Sequence, residues 1–109
     1  MIIYNVTFMM EQSLEQDFIG WMRGEALAAM VNPQSPAREP RLTVVAEVPG
    51  NPEFDKEARS YAFQVEFETL SVAREWAKTY LMPVLGQYTA RYGAEHALSF
   101  ATILQKVDL

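Results

Sequence analysis

Asn5, Thr7, Gln64 and Glu66 are the side chains of this sequence whose types and spacing suit the handling of a ligand. Asn5 and Thr7 lie two residues apart, as do Gln64 and Glu66, so in extended chain each pair projects to one side. Amides and a hydroxyl supply neutral donors and acceptors, and a few such groups amid apolar surface orient a small molecule. A carboxylate adds acid–base capacity if its surroundings hold it protonatable near neutrality. Glu66 and Glu25 are the candidates for such a base. Glu47 and Glu66, on adjacent strands, would make a carboxylate pair. The plainer expectation is solvated glutamates near strand ends, with Glu25 tilting to solvent near a helix end.

Other chemistries find less support. His96 is the one histidine; beside Glu95 and after a turn, it reads as a surface residue rather than a haem ligand or base. Without cysteine there is no disulfide, thiolate nucleophile or sulfur-ligated metal. No cofactor and no metal site are expected. Ser13 and Ser71 read as helix caps, since no histidine is placed to activate either. No glycine-rich phosphate loop occurs. The triplet Asn5-Val6-Thr7 matches a glycosylation acceptor, but it lies inside a strand-like run.

The elements that must position these groups alternate in a regular order. Ile2–Met10 and Tyr61–Phe67 are strand-like, each followed by an amphipathic helix and then by another strand, Leu42–Val48 or Ala97–Gln105. The first helix is expected from Leu14 to about Met30, opened by the capping-box pattern Ser13-Leu14-Glu15-Gln16. Leu14, Phe18, Trp21, Met22 and Ala29 share its apolar face. Three prolines make 31–41 read as a loop, and Pro49–Ala58 reads as a long charged hairpin connection. In the second helix, Ala73, Trp76, Ala77, Tyr80 and Val84 share a face. Pro83 should kink it near Thr79–Pro83, and Gly93 should end it with a positive φ. Trp21 and Trp76 read as core.

The order implies an α+β, ferredoxin-like βαββαβ unit: a four-stranded antiparallel sheet with two helices on one face. At 109 residues and half hydrophobic, the chain reads as a single domain over 1–109. Tyr4, Val6, Phe8, Leu42, Val44, Tyr61, Phe63, Val65, Leu98 and Phe100 are expected under the helices. The other face would collect Ile3, Asn5, Thr7, Met9, Thr43, Val45, Glu47, Ala62, Gln64, Glu66, Ser99, Ala101 and Ile103. That mixture is neither clean solvent surface nor dry core. It could face water, pack against a second copy, or line a small-molecule pocket between two copies, and interleaved apolar and uncharged polar residues favour the dimer.

Composition limits the partners. A net charge of −5 with nine scattered Lys and Arg argues against nucleic acid. A base-stacking sheet is also disfavoured, because the expected open face carries no aromatic. No run is long enough to span a membrane, and Met1–Met10 lacks the basic start of a signal peptide, so the expected location is cytoplasmic.

Several segments together resemble an uncharacterised bacterial domain-of-unknown-function family. They are the opening Met1-Ile2-Ile3-Tyr4-Asn5-Val6-Thr7, Trp21-Met22, Ser60-Tyr61-Ala62-Phe63-Gln64, Pro83 with Leu85, Arg91-Tyr92-Gly93, and Phe100-Ala101-Thr102 with Leu104. The resemblance implies the dimeric α+β barrel architecture, which also houses monooxygenases, haem-degrading enzymes, dehydratases and isomerases. It implies no particular activity. The chain departs from the family pattern at three places: Ala26-Leu27-Ala28 stands for His-Ile-Pro, Tyr88 for a second histidine, and Ala101 for an arginine. If those groups line one pocket, a site inherited from the family is altered or absent here.

The leading expectation is a homodimer joined through the open sheet face, acting as a binding or regulatory module. It would hold a small, mostly apolar ligand near Asn5, Thr7, Gln64 and Glu66. One alternative is a cofactor-free monooxygenase or isomerase using Glu66 or Glu25. The other is a structural dimer whose barrel is filled by side chains.

Overall fold

The computed structural model describes residues 1–54 and 56–109; Asp55, within the expected hairpin connection, lies outside the described residues. Four strands, β1 (Ile2–Glu11), β2 (Arg38–Val44), β3 (Ala58–Phe67) and β4 (Ala97–Gln105), form one sheet in the order β2-β3-β1-β4. All three pairings are antiparallel. Two helical segments follow β1 and β3 and cover one face, so the fold is ferredoxin-like α+β. The molecule measures 37 × 37 × 20 Å, and the short dimension is that of two layers. Its radius of gyration is 14.4 Å, against about 13 Å for a fully compact domain of this length.

The first helical segment is a 3-10 turn (Gln12–Leu14), α1 (Glu15–Trp21), a π turn (Met22–Ala26) and α2 (Leu27–Met30). Phe18, Met22, Ala26 and Met30 are buried at intervals of four. In a pure α-helix that interval drifts by about 40° per step. The wider π turn absorbs the drift and keeps all four on the sheet. Ala29, expected on this face, is instead exposed, and so is Glu25. Ser13 falls within the 3-10 turn and makes no cap bond there.

The second segment repeats the device: α3 (Leu70–Trp76), a π turn (Ala77–Leu81) and α4 (Met82–Tyr92). Pro83 stands in the first turn of α4, directly after the π turn. A proline cannot donate to the turn before it, and the widened turn accommodates the missing bond where the sequence placed a kink. The N-cap is Thr69, whose hydroxyl accepts from the Val72 amide at 3.2 Å, rather than Ser71. Gly93 ends α4 with φ 80°.

Between sheet and helices the core is aromatic: Phe8, Phe18, Trp21, Tyr61, Phe63, Phe67, Trp76 and Tyr88 are all buried. Trp76 donates its indole N–H to the Met30 carbonyl at 2.9 Å, and the Ser35 hydroxyl donates to the same oxygen at 2.7 Å. The last carbonyl of α2 is thereby satisfied away from water.

Two strands differ from expectation. β2 begins four residues early and contains Pro40. It is an edge strand, and its register slips between Arg38 and Arg41, where Glu39 takes φ 54°. An edge bulge tolerates a proline that a central strand would not. β4 is turned over: Phe100 pairs with Thr7, Leu98 with Met9 and Leu104 with Ile3. Leu98 and Phe100 therefore stand on the open face, 59% and 53% exposed, while Ser99, Ala101 and Ile103 share the side of Phe8, Val6 and Tyr4. Apolar residues occupy both parities of this strand, so only its register with β1 settles which side is which.

Candidate functional site

The bare face of the sheet carries an ordered polar row. Thr102 on β4, Asn5 on β1, Gln64 on β3 and Arg41 on β2 are register partners in turn, so one side chain from each strand lines up across the sheet. Arg41 Nε donates to Gln64 Oε1 at 3.1 Å, and Gln64 Nε2 donates to Asn5 Oδ1 at 3.1 Å. Asn5 Nδ2 then donates to Thr102 Oγ1 at 3.2 Å and Thr7 Oγ1 at 3.3 Å. Alternation along extended strands places these groups here, since their neighbours Val6, Phe63, Val65 and Leu42 point into the core.

Glu66 extends the row at one end. Arg41 Nη1 donates to Glu66 Oε2 at 2.9 Å, and Lys106 Nζ lies 3.5 Å from Oε1. The Arg41 bond, helped by Lys106, holds the Glu66 carboxyl below the usual carboxylate range. Arg38 stands opposite Glu66 in register. There the face runs into a cleft of about 540 Å³ lined by Met1, Pro36, Arg38, Glu39, Glu66, Phe67, Glu68 and Val72. The uncharged residues of that lining are all apolar.

The structure brings all four expected site residues together: Asn5, Thr7 and Gln64 in one hydrogen-bonded group, with Glu66 joined through Arg41. Sequence reasoning missed Arg41, Thr102 and Lys106. Arg41 follows Pro40 at the end of the stretch that reads as a loop, and Thr102 shares the parity of Leu98 and Phe100, which are expected under the helices. A usable signal existed, since Arg41 and Thr43 alternate with Leu42 and Val44. The turned β4 also puts Phe100 on the open face, contrary to the expectation of no aromatic there. A missing aromatic therefore no longer counts against base stacking, and the acidic net charge is left as the ground against nucleic acid.

Other candidates are placed apart. Glu47 follows β2 in the hairpin connection, beyond the level of Ser60, while Glu66 stands near the far end of β3, so the two form no pair. His96 is exposed and bonds Glu11 rather than Glu95, with Nδ1 2.8 Å from the Glu11 carboxylate, which raises its pKa. On the helix side Tyr61 donates to Glu15 at 2.6 Å, and burial with that bond pushes the phenol up to about 12. Ala26 and Tyr88 are buried in the core, and Ala101 pairs with Val6. The three positions that depart from the family pattern thus lie on the opposite side of the sheet from Asn5 and Gln64.

Among the described residues no group of three or more His, Cys, Asp or Glu is placed to hold a metal ion, and no helix is long and apolar enough to cross a membrane. No curated protein matches the sequence. Among solved structures the chain is similar to HapK from Hahella chejuensis, with a TM-score of 0.60, 14% identity, and coverage of 98% of this chain and 93% of that one. It is also similar to a mutant form of SnoaB, a cofactor-independent oxygenase from Streptomyces nogalater, with a TM-score of 0.54, 11% identity, and coverage of 99% and 95%. At such identities the likeness is one of fold. The family model described as a domain of unknown function (DUF4286) matches residues 1–107, and the chain belongs to that family.

Proposed function

We propose that this protein is a homodimer, joined through its open sheet faces, that binds a small and mostly apolar molecule between them near Asn5, Thr7, Gln64 and Glu66. One observation carries the proposal: in a molecule two layers thick, the uncovered face sets Leu98, Phe100 and Leu104 beside an ordered polar row. Large apolar side chains grouped on one face mark an interaction surface, whereas scattered ones do not.

Area and charge favour a second copy as the covering partner. Four strands about 4.8 Å apart and roughly 30 Å long present about 600 Å² in projection. A pair would bury about 1,200 Å², the lower end of the range for specific interfaces. Arg38, Arg41 and Lys106 are set against Glu39, Glu66 and Glu68 at the charged end. These charges balance, so the net charge of −5 lies elsewhere and does not oppose apposition. A two-fold axis through the face would bring like parts of two copies together.

The polar row gives such a dimer a reason to bind rather than only to associate. Uncharged donors and acceptors, held in place by their neighbours, orient a ligand without the cost of a buried charge. The enzymatic alternative is less well served. Glu66 is paired with Arg41, which holds its carboxyl below the usual carboxylate range, and Glu25 is exposed on the helix layer, away from the open face.

Light scattering over a dilution series tests the dimer. The expected result is twice the chain mass for the wild type and a shift toward the single-chain mass for Phe100→Asp. A single-chain mass at every wild-type concentration overturns the proposal.

A further inference from the structure

We infer that the Thr7 and Thr102 hydroxyls form a paired donor site for the acceptor oxygen of an otherwise apolar carbonyl compound, with Arg41 setting their direction from the far edge of the sheet. This assignment rests on the inter-sheet binding reading and names the ligand chemistry it would take.

What each group is able to donate fixes the row. A guanidinium only donates. Arg41 Nε therefore fixes the Gln64 oxygen toward β2 and its nitrogen toward β1. That nitrogen also only donates, so Asn5 must present its oxygen to Gln64 and its nitrogen to the threonines. Both Asn5 amide protons are then used, one on each hydroxyl oxygen. Each hydroxyl accepts from Asn5 and keeps its own proton, which meets no acceptor among the described residues. A single cation on β2 thus gives one polarity to four strands, and the row ends in two O–H groups around one nitrogen.

The surroundings say what would meet those protons. Phe100 stands opposite Thr7, with Met9 and Leu98 one step further along the face and Ile3 and Leu104 on the other side of the row. The pattern is two hydroxyls bonded to one amide nitrogen, with apolar surface above and below. A carbonyl oxygen with two lone pairs satisfies both donors, and a hydrocarbon body covers the rest.

The test uses two probes of the same shape, the ketone 1-tetralone and the hydrocarbon tetralin, titrated into 15N-labelled protein and followed by amide NMR. The wild type should bind the ketone about tenfold more tightly, the worth of one or two net hydrogen bonds. Thr7→Val with Thr102→Val removes both hydroxyls at nearly constant shape. It should bring the two affinities together and abolish the ketone preference. Arg41→Leu should reduce the ketone preference and broaden the side-chain NH2 signals of Asn5 and Gln64, which a merely structural arginine would leave sharp. If both probes bind the open face with no ketone preference, or if the double valine variant keeps that preference, the donor assignment fails and the binding reading stands. If neither probe moves any open-face signal of the dimeric protein, both fail together.

Discussion

Tyr88 on α4 donates its hydroxyl to the Met9 carbonyl of β1 at 3.0 Å and lies 3.3 Å from the Leu98 carbonyl of β4. Met9 and Leu98 are themselves register partners, so one side chain from the helix layer ties the two strands together from beneath. Burial raises the phenol pKa, and it stays a neutral donor throughout the physiological range. Tyr88→Phe keeps the ring contacts with Phe8, Phe18 and Trp21 but removes the hydroxyl's bonds to the part-buried Met9 and Leu98 carbonyls. The expected loss is about 1–2 kcal/mol with an unchanged denaturant slope, read by urea unfolding.

Two glycines should respond to alanine with opposite signs. At Gly93, with φ 80° and ψ 142°, an added Cβ meets nothing within 4 Å, so any cost is one of backbone conformation. That region is essentially restricted to glycine, and Gly93→Ala should cost about 1–3 kcal/mol. At Gly20, inside α1 and equally unobstructed, alanine fits the helix, and Gly20→Ala should stabilise by about 0.5–1 kcal/mol. Thermal melts of the two variants check the signs directly.

His96 carries a pH dependence of definite sign. Its bond to Glu11 raises its pKa in the folded protein. A raised pKa stabilises the fold fully below the unfolded value of about 6.5. The contribution disappears as pH rises through the folded value. Urea midpoints measured from pH 5 to 8 should fall more for the wild type than for His96→Gln. Equal slopes would show that the pair contributes nothing in solution.

Glu66 has the opposite sense. Its carboxyl is held low mainly by Arg41, so its contribution is present above the ordinary carboxylate pKa and lost as pH falls through the folded one. In Arg41→Leu its carbon-13 titration should move upward, and in Lys106→Met by less. A titration unmoved by Arg41→Leu would mean that the 2.9 Å bond is not kept in solution.

The open face should also discriminate by position. Phe100→Asp ought to weaken self-association by at least about tenfold, because a charge would replace a large apolar side chain in the patch that β4 sets on the open face. Gln87→Asp, on an exposed position of α4, ought to leave it unchanged. Sedimentation over the same concentration range separates the two.

Much of this architecture was legible in the residues. The β-α-β-β-α-β order, the faces of β1 and β3, the core positions of Trp21 and Trp76, and the disturbed helix before Pro83 follow from local periodicity and from what proline is unable to donate. The grouping of Asn5, Thr7 and Gln64 follows too, because alternation places them opposite a row of unmistakable core residues.

Other features were decided between strands. Leu98 and Phe100 alternate with Ala101 and Ile103, so period two shows that β4 has two faces without saying which is inner; pairing with β1 supplies that sign. Pro40 reads as the end of a strand until an edge position and a bulge at Glu39 make room for it, and with it Arg41 joins the site. The direction of the hydrogen-bonded row is likewise absent from any single segment. An amide has no preferred orientation by itself, and only a guanidinium brought alongside by another strand compels one.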